Sequence, residues 1–254
     1  MAISVLGANA FAQSKNSMNI VLVHGAWSDG SAWDAVVPLL EAKGCNVTVV
    51  NLPGHGTDKT PFSAITLQSY VDVVKKAIGD NKQVTLIGHS MAGIVISQVA
   101  EEIPNSIKTL VYLGAYLPKN GQSLLDLAKV DAGSHVGKHL KIDENSASAI
   151  IAKEGVIDVF FADAPAGRQQ KLADGVEPEP LVPFVTPVTL TEGNYGGVEK
   201  VYIYTKNDHA VSYAAQQAMV KNTTVKKEYI LQSSHTPFIS MPKKVAEILI
   251  KAAK

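Results

Sequence analysis

The sequence predicts an α/β protein with a mostly parallel central sheet flanked by helices. Two observations carry this prediction. Apolar strand-like runs alternate with helical patterns over residues 18–118, and the alternation resumes over residues 197–254. Between them, residues 119–196 hold short helical patterns and a proline-rich stretch without strand alternation, which predicts an inserted, mainly helical lid. A chain of 254 residues is long enough for one core, so we expect a single sheet domain built from the two flanking parts.

Each element follows from an apolar pattern bounded by turn residues. Asn19–Val23 and Asn46–Asn51 are runs typical of buried strands. Ala32–Lys43 between them reads as a helix ended by Gly44, and the spacing of apolar residues over Leu67–Ile78 predicts one face of a second helix. The remaining predicted elements are strands Val84–Ile87, Ile107–Leu113, Lys200–Thr205 and Val225–Leu231, and helices Met91–Glu102, Tyr213–Lys221 and one from Pro242. Alternating strands and helices imply parallel strands with helices on both faces.

The composition and the first residues limit the partners and the cellular location that we expect for the protein. Lys+Arg and Asp+Glu balance at 23 each, which gives no reason to expect nucleic acid as a partner, and no apolar run is long enough for membrane insertion. Residues 1–12 end in Ala-Phe-Ala before Gln13 and resemble the end of a secretory signal, so residues 1–17 are predicted to be a leader. A signal remnant would make the protein periplasmic or secreted, and otherwise it would be cytoplasmic. The sequence leaves the oligomeric state open, with a homodimer as one alternative.

A serine lies where the third predicted strand meets the next helix. The stretch Gly88-His89-Ser90-Met91-Ala92 approximates the pattern G-x-S-x-G, in which small residues let the strand and helix backbones pass closely. Such a sharp turn presents the serine hydroxyl at the C-terminal edge of the sheet. Ser90 is therefore the predicted nucleophile. The alternative is a serine that only caps the helix.

A serine hydroxyl needs a base to take its proton and an acid to orient that base. His235 follows a predicted strand and precedes a helix, which places it at the same sheet edge as Ser90. His135 and His139 fall in the predicted lid instead. Asp208 follows another strand at this edge and is the predicted acid, the alternative being a turn aspartate that caps the next helix.

The loop after the first strand supplies the remaining chemistry of acyl transfer. Gly25 allows the backbone to turn so that the N–H of Ala26 faces Ser90, and the N–H of Met91 is the second predicted oxyanion donor. The predicted substrate contacts are Gly25, Trp27, Tyr116, Leu117, Leu124, Phe160, Phe161, Phe184 and Phe238. These mostly apolar residues favour a small to medium hydrophobic ester. The sequence has no zinc pattern such as H-E-x-x-H, and we expect neither metal nor cofactor.

From about Asn19 to its end the chain resembles the α/β-hydrolase superfamily, and more narrowly the plant methylesterase and hydroxynitrile lyase family with its bacterial esterase relatives. The segments that carry the resemblance are VLVHGAW, WDAVVPLLEAKGCNVTVVNLPGHG, LIGHSMAG, LTEGNYGGVEKVYIYTKNDHAVS and SSHTPFISMPKKVAEIL. The resemblance implies the α/β-hydrolase fold, with Ser90, Asp208 and His235 as the catalytic triad. The predicted lid matches the family only weakly, so no substrate is implied.

Two positions separate the chain from the lyase branch of the resembled family. That branch has threonine after the histidine of the first loop and lysine directly after the catalytic histidine, whereas this chain has Gly25 and Thr236. The resemblance implies that the lysine stabilises leaving cyanide, so its replacement favours a serine carboxylester hydrolase with an acyl-enzyme intermediate. The alternatives are a hydroxynitrile lyase and a non-catalytic module that binds a small ligand on the same fold.

Overall fold

The computed structural model describes residues 17–254, and most of the predicted leader lies outside this range. The strands are β1 (Asn19–Val23), β2 (Asn46–Val50), β3 (Val84–His89), β4 (Ile107–Leu113), β5 (Leu140–Asp143), β6 (Ser148–Ile151), β7 (Glu179–Pro180), β8 (Glu199–Thr205) and β9 (Lys227–Leu231). Six of them form a sheet in the order β2-β1-β3-β4-β8-β9, and every neighbouring pair is parallel. This confirms the predicted fold class.

Helices cover both faces of the large sheet. The α-helices are α1 (Val37–Glu41), α2 (Leu67–Ile78), α3 (Ala92–Glu102), α4 (Leu124–Ala128), α5 (Val136–His139), α6 (Lys153–Phe160), α7 (Ala166–Asp174), α8 (Val182–Val185), α9 (Tyr213–Lys221), α10 (Pro237–Ser240) and α11 (Pro242–Ala253). Val21 and Val23 of β1 pack in the same buried cluster as α2 and α3. The alternating residues Ile20 and Leu22 pack with α1 and α11 on the opposite face.

The first predicted helix is shorter than the sequence pattern indicated. The expected helix Ala32–Lys43 divides into a 3-10 turn, Gly30–Trp33, and the short helix α1. Pro38 explains the division, because proline lacks an N–H and its ring clashes with the carbonyl four residues earlier. Proline is tolerated in the first turn of a helix, which is its position in α1.

The segment between β4 and β8, which we call the insertion (residues 119–196), is richer in helix than in strand but also contains strands that the sequence pattern did not predict. It contains α4 to α8 and also an antiparallel sheet in the order β5-β6-β7. The stretch SASAIIAKEG, read as helical, forms β6 and then the start of α6. Ile150 and Ile151 of β6 are β-branched, and such side chains suit a strand better than a helix.

The parallel order brings the ends of several strands to one edge of the sheet. The loops after β1, β3, β8 and β9 carry, respectively, Gly25, Ser90, Asp208 and His235. Because all these strands run in one direction, the four loops lie at their common C-terminal edge. None of the helices within residues 17–254 is both long enough and apolar enough to span a membrane.

Candidate active site

Ser90 lies in a strained turn directly after β3. Its φ of 54° falls in the left-handed region, which is unfavourable for residues other than glycine. A Cβ atom on Gly88 would lie 2.8 Å from the carbonyl oxygen of Ala92, so the strand and helix do approach closely here. The turn is held by hydrogen bonds from Ser90 N–H to the Leu113 carbonyl (3.3 Å) and from Tyr116 N–H to the Ser90 carbonyl (3.1 Å).

Asp208 and His235 form a buried pair at the same edge. His235 Nδ1 lies 2.8 Å from Asp208 Oδ2, and neither side chain is more than 3% exposed. The carboxylate also accepts hydrogen bonds from the Thr205 hydroxyl (2.6 Å) and from the N–H groups of Ala210 (2.7 Å) and Val211 (2.9 Å). These local donors fix the orientation of the carboxylate toward the imidazole.

His89, between Gly88 and Ser90, supports His235 in a way the sequence analysis missed. Its Nε2 lies 2.9 Å from the His235 carbonyl oxygen, and the centroids of the His89 and His235 rings are 4.5 Å apart. Burial lowers the pKa of His89 well below its ordinary value, so the ring is neutral and its proton is on Nε2. The hydrogen bonds formed by residues 17–254 do not include one from Ser90 Oγ to His235. Such contacts often tighten only when substrate is bound.

The loop after β1 touches the serine. A Cβ atom on Gly25 would lie 2.9 Å from Ser90 Cβ and 2.8 Å from His89 Nδ1, so only glycine allows this approach. Among the described residues, neither Ala26 N–H nor Met91 N–H donates to a protein acceptor. Both predicted oxyanion donors are therefore available to a ligand.

A buried carboxylate behind this loop was not anticipated from the sequence. Glu179 of β7 is fully buried; its Oε2 accepts from Trp27 N–H (3.0 Å) and lies 2.7 Å from His55 Nε2. Its Oε1 accepts from the Tyr70 hydroxyl (2.9 Å). Burial acts to lower the pKa of His55, but the hydrogen bond and charge of Glu179 outweigh it and the net pKa is raised. His55 Nδ1 faces the Pro53 carbonyl at 3.0 Å, so both ring nitrogens meet acceptors, as an imidazolium requires.

Two cavities contact the neighbours of Ser90. The larger, about 640 Å³, is lined by Ala26 and His235, though not by Ser90, and by four predicted substrate contacts: Trp27, Phe160, Phe161 and Phe238. The smaller, about 400 Å³, is lined by the predicted contacts Tyr116 and Leu117. Leu124 and Phe184 line neither cavity, and the Phe184 ring packs 5.5 Å from the Trp27 ring. The larger cavity also has charged lining residues, Asp29, Asp34, Arg168, Lys171 and Glu177, which the expected apolar pocket did not include.

Three side chains with the spacing of metal ligands lie together outside the proposed triad, within the described residues. His135 Nδ1 and His209 Nδ1 lie 2.6 Å and 2.9 Å from the two oxygens of Asp158. Burial acts to raise the pKa of this carboxyl, but its hydrogen bonds to the two histidines lower it overall. All three side chains are partly exposed, and the contacts describe a carboxylate shared between two imidazoles.

The geometry defines a class of protein: a parallel α/β sheet whose C-terminal edge carries a strained serine and a buried histidine–aspartate pair. Residues 20–248 match the model of the alpha/beta hydrolase family. The chain belongs to that family, which confirms the resemblance seen in the sequence motifs.

Individual relatives agree with this membership. Pyrethroid hydrolase from Sphingobium wenxiniae is 30% identical over 244 residues, covering 91% of this chain and 86% of the relative. Methylesterase 17 of Arabidopsis thaliana is 27% identical over 257 residues, covering 94% and 93%. A crystal structure of a pyrethroid hydrolase matches with a TM-score of 0.81 at 26% identity, covering 94% of this chain and 98% of that one. The chain spans between 57% and 64% of the length of three chloroplastic Arabidopsis relatives.

Proposed function

We propose that this protein is a serine carboxylester hydrolase that acts on small to medium hydrophobic esters. The observation that carries the proposal is the buried His235–Asp208 pair, 2.8 Å apart, at the sheet edge where Ser90 occupies its strained turn. The N–H groups of Ala26 and Met91, which have no acceptor within residues 17–254, add the donors that acyl transfer requires. Among the relatives, a methylesterase and a pyrethroid hydrolase carry names that denote hydrolysis, which supports the same reaction class.

The proposed reaction has two halves. In the first, Ser90 Oγ attacks the ester carbonyl carbon while His235 Nε2 takes the hydroxyl proton, and Asp208 stabilises the imidazolium that results. The tetrahedral intermediate collapses as His235 gives this proton to the departing alkoxide, which leaves as the alcohol. In the second half, His235 removes a proton from water, the resulting hydroxide attacks the acyl-serine, and the carboxylic acid departs with Ser90 restored.

The oxyanion that forms in both halves would be held by two main-chain N–H groups. Ala26 follows Gly25, which lies against Ser90, and Met91 directly follows the serine. Each donor of this type typically stabilises the transition state by about 3 kcal/mol. Because both are backbone groups on fixed loops, they need little reorganisation during the reaction.

The two cavities suit the two arms of an ester. Their volumes, about 640 Å³ and 400 Å³, fall in the range of small-molecule sites. The larger adjoins Ala26 and His235, and the smaller adjoins Tyr116, whose N–H bonds the Ser90 carbonyl. We assign the acyl and alcohol parts to these two spaces. The aromatic lining of the larger cavity favours an apolar group there.

The position after the proposed base disfavours lyase chemistry. Thr236, the residue after His235, has an uncharged side chain whose hydroxyl donates to the Phe160 carbonyl (2.7 Å). The chain therefore has no side-chain cation at this position. We therefore expect no cyanide release from mandelonitrile. An amount of cyanide release comparable with ester hydrolysis would assign the protein to the lyase branch instead.

Covalent labelling tests the proposal directly. A fluorophosphonate probe followed by peptide mapping should modify Ser90, and Ser90→Ala should lower p-nitrophenyl acetate hydrolysis by at least about 10³-fold. Ser63→Ala is the matched control, because Ser63 is exposed and lines neither cavity, and it should retain both labelling and turnover. Near-normal hydrolysis by Ser90→Ala would overturn the assignment. A folded wild-type protein that takes no label would indicate a binding module.

A further inference from the structure

The direction of the Ala26 N–H is set by contacts to the peptide units on both sides of it. The unit between Gly25 and Ala26 contains this N–H together with the Gly25 carbonyl, and the two point in opposite directions in one plane. His24 Nδ1 lies 2.8 Å from that carbonyl oxygen. His24 Nε2 accepts from Leu52 N–H (3.0 Å), so the ring proton must be on Nδ1. The hydrogen bond from His24 therefore orients the plane that carries the oxyanion donor.

His24 is suited to this task because it stays neutral. Burial and the neighbouring His55 lower its pKa to about 3. A protonated ring could not accept from Leu52 N–H, so the neutral form is the one that holds both contacts. The His55 ring lies 5.1 Å from the His24 ring, which places the buried histidine–carboxylate pair next to this support.

The next peptide unit, between Ala26 and Trp27, is held by the insertion. Trp27 N–H donates to Glu179 Oε2 (3.0 Å), and the indole N–H of Trp27 donates to the Ala149 carbonyl (2.9 Å). Trp27 has a φ of 59°, a conformation that a bulky side chain adopts only where its surroundings enforce it. Both donors of Trp27 thus bind the small sheet of the insertion, Ala149 in β6 and Glu179 in β7.

The orientation of Glu179 is itself fixed by residues of the sheet domain. His55 and Tyr70 bind its two oxygens from different elements, and all three side chains are buried. A buried carboxylate with donors on both oxygens has a defined orientation, and charge-assisted hydrogen bonds are roughly twice as strong as neutral ones. Glu179 is thus a rigid acceptor placed one peptide unit away from the proposed oxyanion donor.

We propose that Glu179 is a positioning residue that, together with His24, directs the Ala26 N–H toward the oxyanion, so that the insertion helps to assemble the active site as well as covering it. The inference rests on the proposed esterase function and extends it to a residue of the insertion. It predicts that the contact to Trp27 N–H matters for the transition state, whereas the contact to Tyr70 is a secondary support, since His55 still binds and orients the carboxylate when the Tyr70 hydroxyl is removed.

Three variants test this division. Glu179→Ala removes the acceptor for Trp27 N–H and should lower kcat by roughly 10–100-fold, while KM stays within about threefold. This loss is smaller than the roughly 10²–10³-fold fall in kcat when an oxyanion-hole donor is removed altogether. Glu179→Gln retains one neutral acceptor and should lower kcat by roughly 3–10-fold. Tyr70→Phe is the matched control, since it removes a different bond to Glu179, and its kcat should stay within about twofold. All rates are expressed per active site titrated with the fluorophosphonate, so unfolded molecules are not counted.

A transition-state analogue separates positioning from a general structural role. The affinity for a trifluoromethyl ketone, which forms an oxyanion on Ser90, should fall by the same factor as kcat/KM in each variant. The affinity for the product alcohol should be unchanged. Equal kcat values for Glu179→Gln and Tyr70→Phe would overturn the inference, even if Glu179→Ala does not fold. A wild-type protein that takes no label at Ser90 would instead refute the proposed function.

Discussion

Residues 17–254 contain two buried histidine–carboxylate pairs with nearly the same contact distance. His235 Nδ1 lies 2.8 Å from Asp208, and His55 Nε2 lies 2.7 Å from Glu179. The second nitrogen differs between the pairs. In His55 it faces the Pro53 carbonyl, so both nitrogens are occupied. In His235, among residues 17–254, only Nδ1 has a partner. A buried pair can act as a base only where the second nitrogen remains free to take a proton.

The two carboxylates also differ in how the chain holds them. Asp208 is bound by donors from its own loop, none more than three residues away, besides its histidine. The donors to Glu179 are Trp27, His55 and Tyr70, which are 152, 124 and 109 residues away in sequence. Asp208 can therefore keep its orientation through local structure alone, whereas the orientation of Glu179 depends on the insertion being docked.

Replacing the two histidines in turn is the strongest test of this contrast. His235→Gln should lower kcat by about 10⁴-fold or more, because no base remains for Ser90. His55→Gln should lower kcat by no more than about tenfold, since it removes a support and not the base. Turnover of p-nitrophenyl acetate per folded molecule is the measurement. Losses of similar size in the two variants would show that the free nitrogen of His235 is not what distinguishes the pairs.

The acid of the proposed triad has the next largest expected effect. Asp208→Asn keeps the shape of the side chain but removes its charge and favours the wrong tautomer of His235, so kcat should fall by roughly 10³–10⁴-fold. Asp163→Asn is a control in the insertion, where the carboxylate binds the backbone and hydroxyl of Ser234 next to the proposed base. Its kcat should stay within about tenfold. Equal losses would mean that loop packing, and not the charge of Asp208, sets the rate.

The contrast in how the carboxylates are held also explains what the sequence could predict. Ser90, Asp208 and His235 each lie within four residues of the end of a strand, so a parallel sheet is enough to expect them at one edge. The contribution of Glu179 follows from no local pattern, because β7 has only two residues in a proline-rich stretch and its partners are more than a hundred residues away. His55 lies within one of the segments that carry the family resemblance, but no local pattern gives it a partner. Long-range packing decides both, and one sequence without structure carries no signal for it.

Two expected helices, Ala32–Lys43 and the one over SASAIIAKEG, differ from the structure. Pro38 can occupy only the first turn of a helix, which shifted its start. In SASAIIAKEG the apolar run is too short to separate strand from helix, and pairing of β6 with both β5 and β7 decides the outcome. Leu124 and Phe184 are predicted substrate contacts that line neither cavity, and they illustrate that apolar residues in a candidate pocket are often packing residues.

Breaking the His55–Glu179 pair should affect stability more than rate. His55→Leu leaves a buried carboxylate without its cation and should lower the free energy of unfolding by about 3–5 kcal/mol. The double variant His55→Leu/Glu179→Leu removes both charges and should recover part of that loss. The recovery is incomplete because the Trp27 N–H and the Tyr70 hydroxyl lose their acceptor. Urea denaturation of the wild type and the three variants gives the coupling energy. A double variant less stable than either single variant would contradict this account.

The smallest expected effect is the pH dependence of stability. The raised pKa of His55 means that its stabilising contribution is complete below the unfolded value of about 6.5 and is lost as pH rises through the folded value. His24 and His89 have lowered pKa values, so the unfolded chain binds protons that the folded chain does not, and stability falls as pH drops below about 6.5. Each histidine contributes a slope of up to about 1.4 kcal/mol per pH unit.

These opposite signs predict a maximum of stability near pH 6.5 within the window from pH 5 to 8. The double variant His55→Leu/Glu179→Leu should lose the decline on the alkaline side and keep the decline on the acid side, because His24 and His89 remain buried. Urea midpoints measured across this window would resolve the two limbs. If stability still declines at alkaline pH to the same extent in the double variant, His55 is neutral in the folded protein. The contrast between the two pairs would then rest only on whether the second ring nitrogen of the histidine is free.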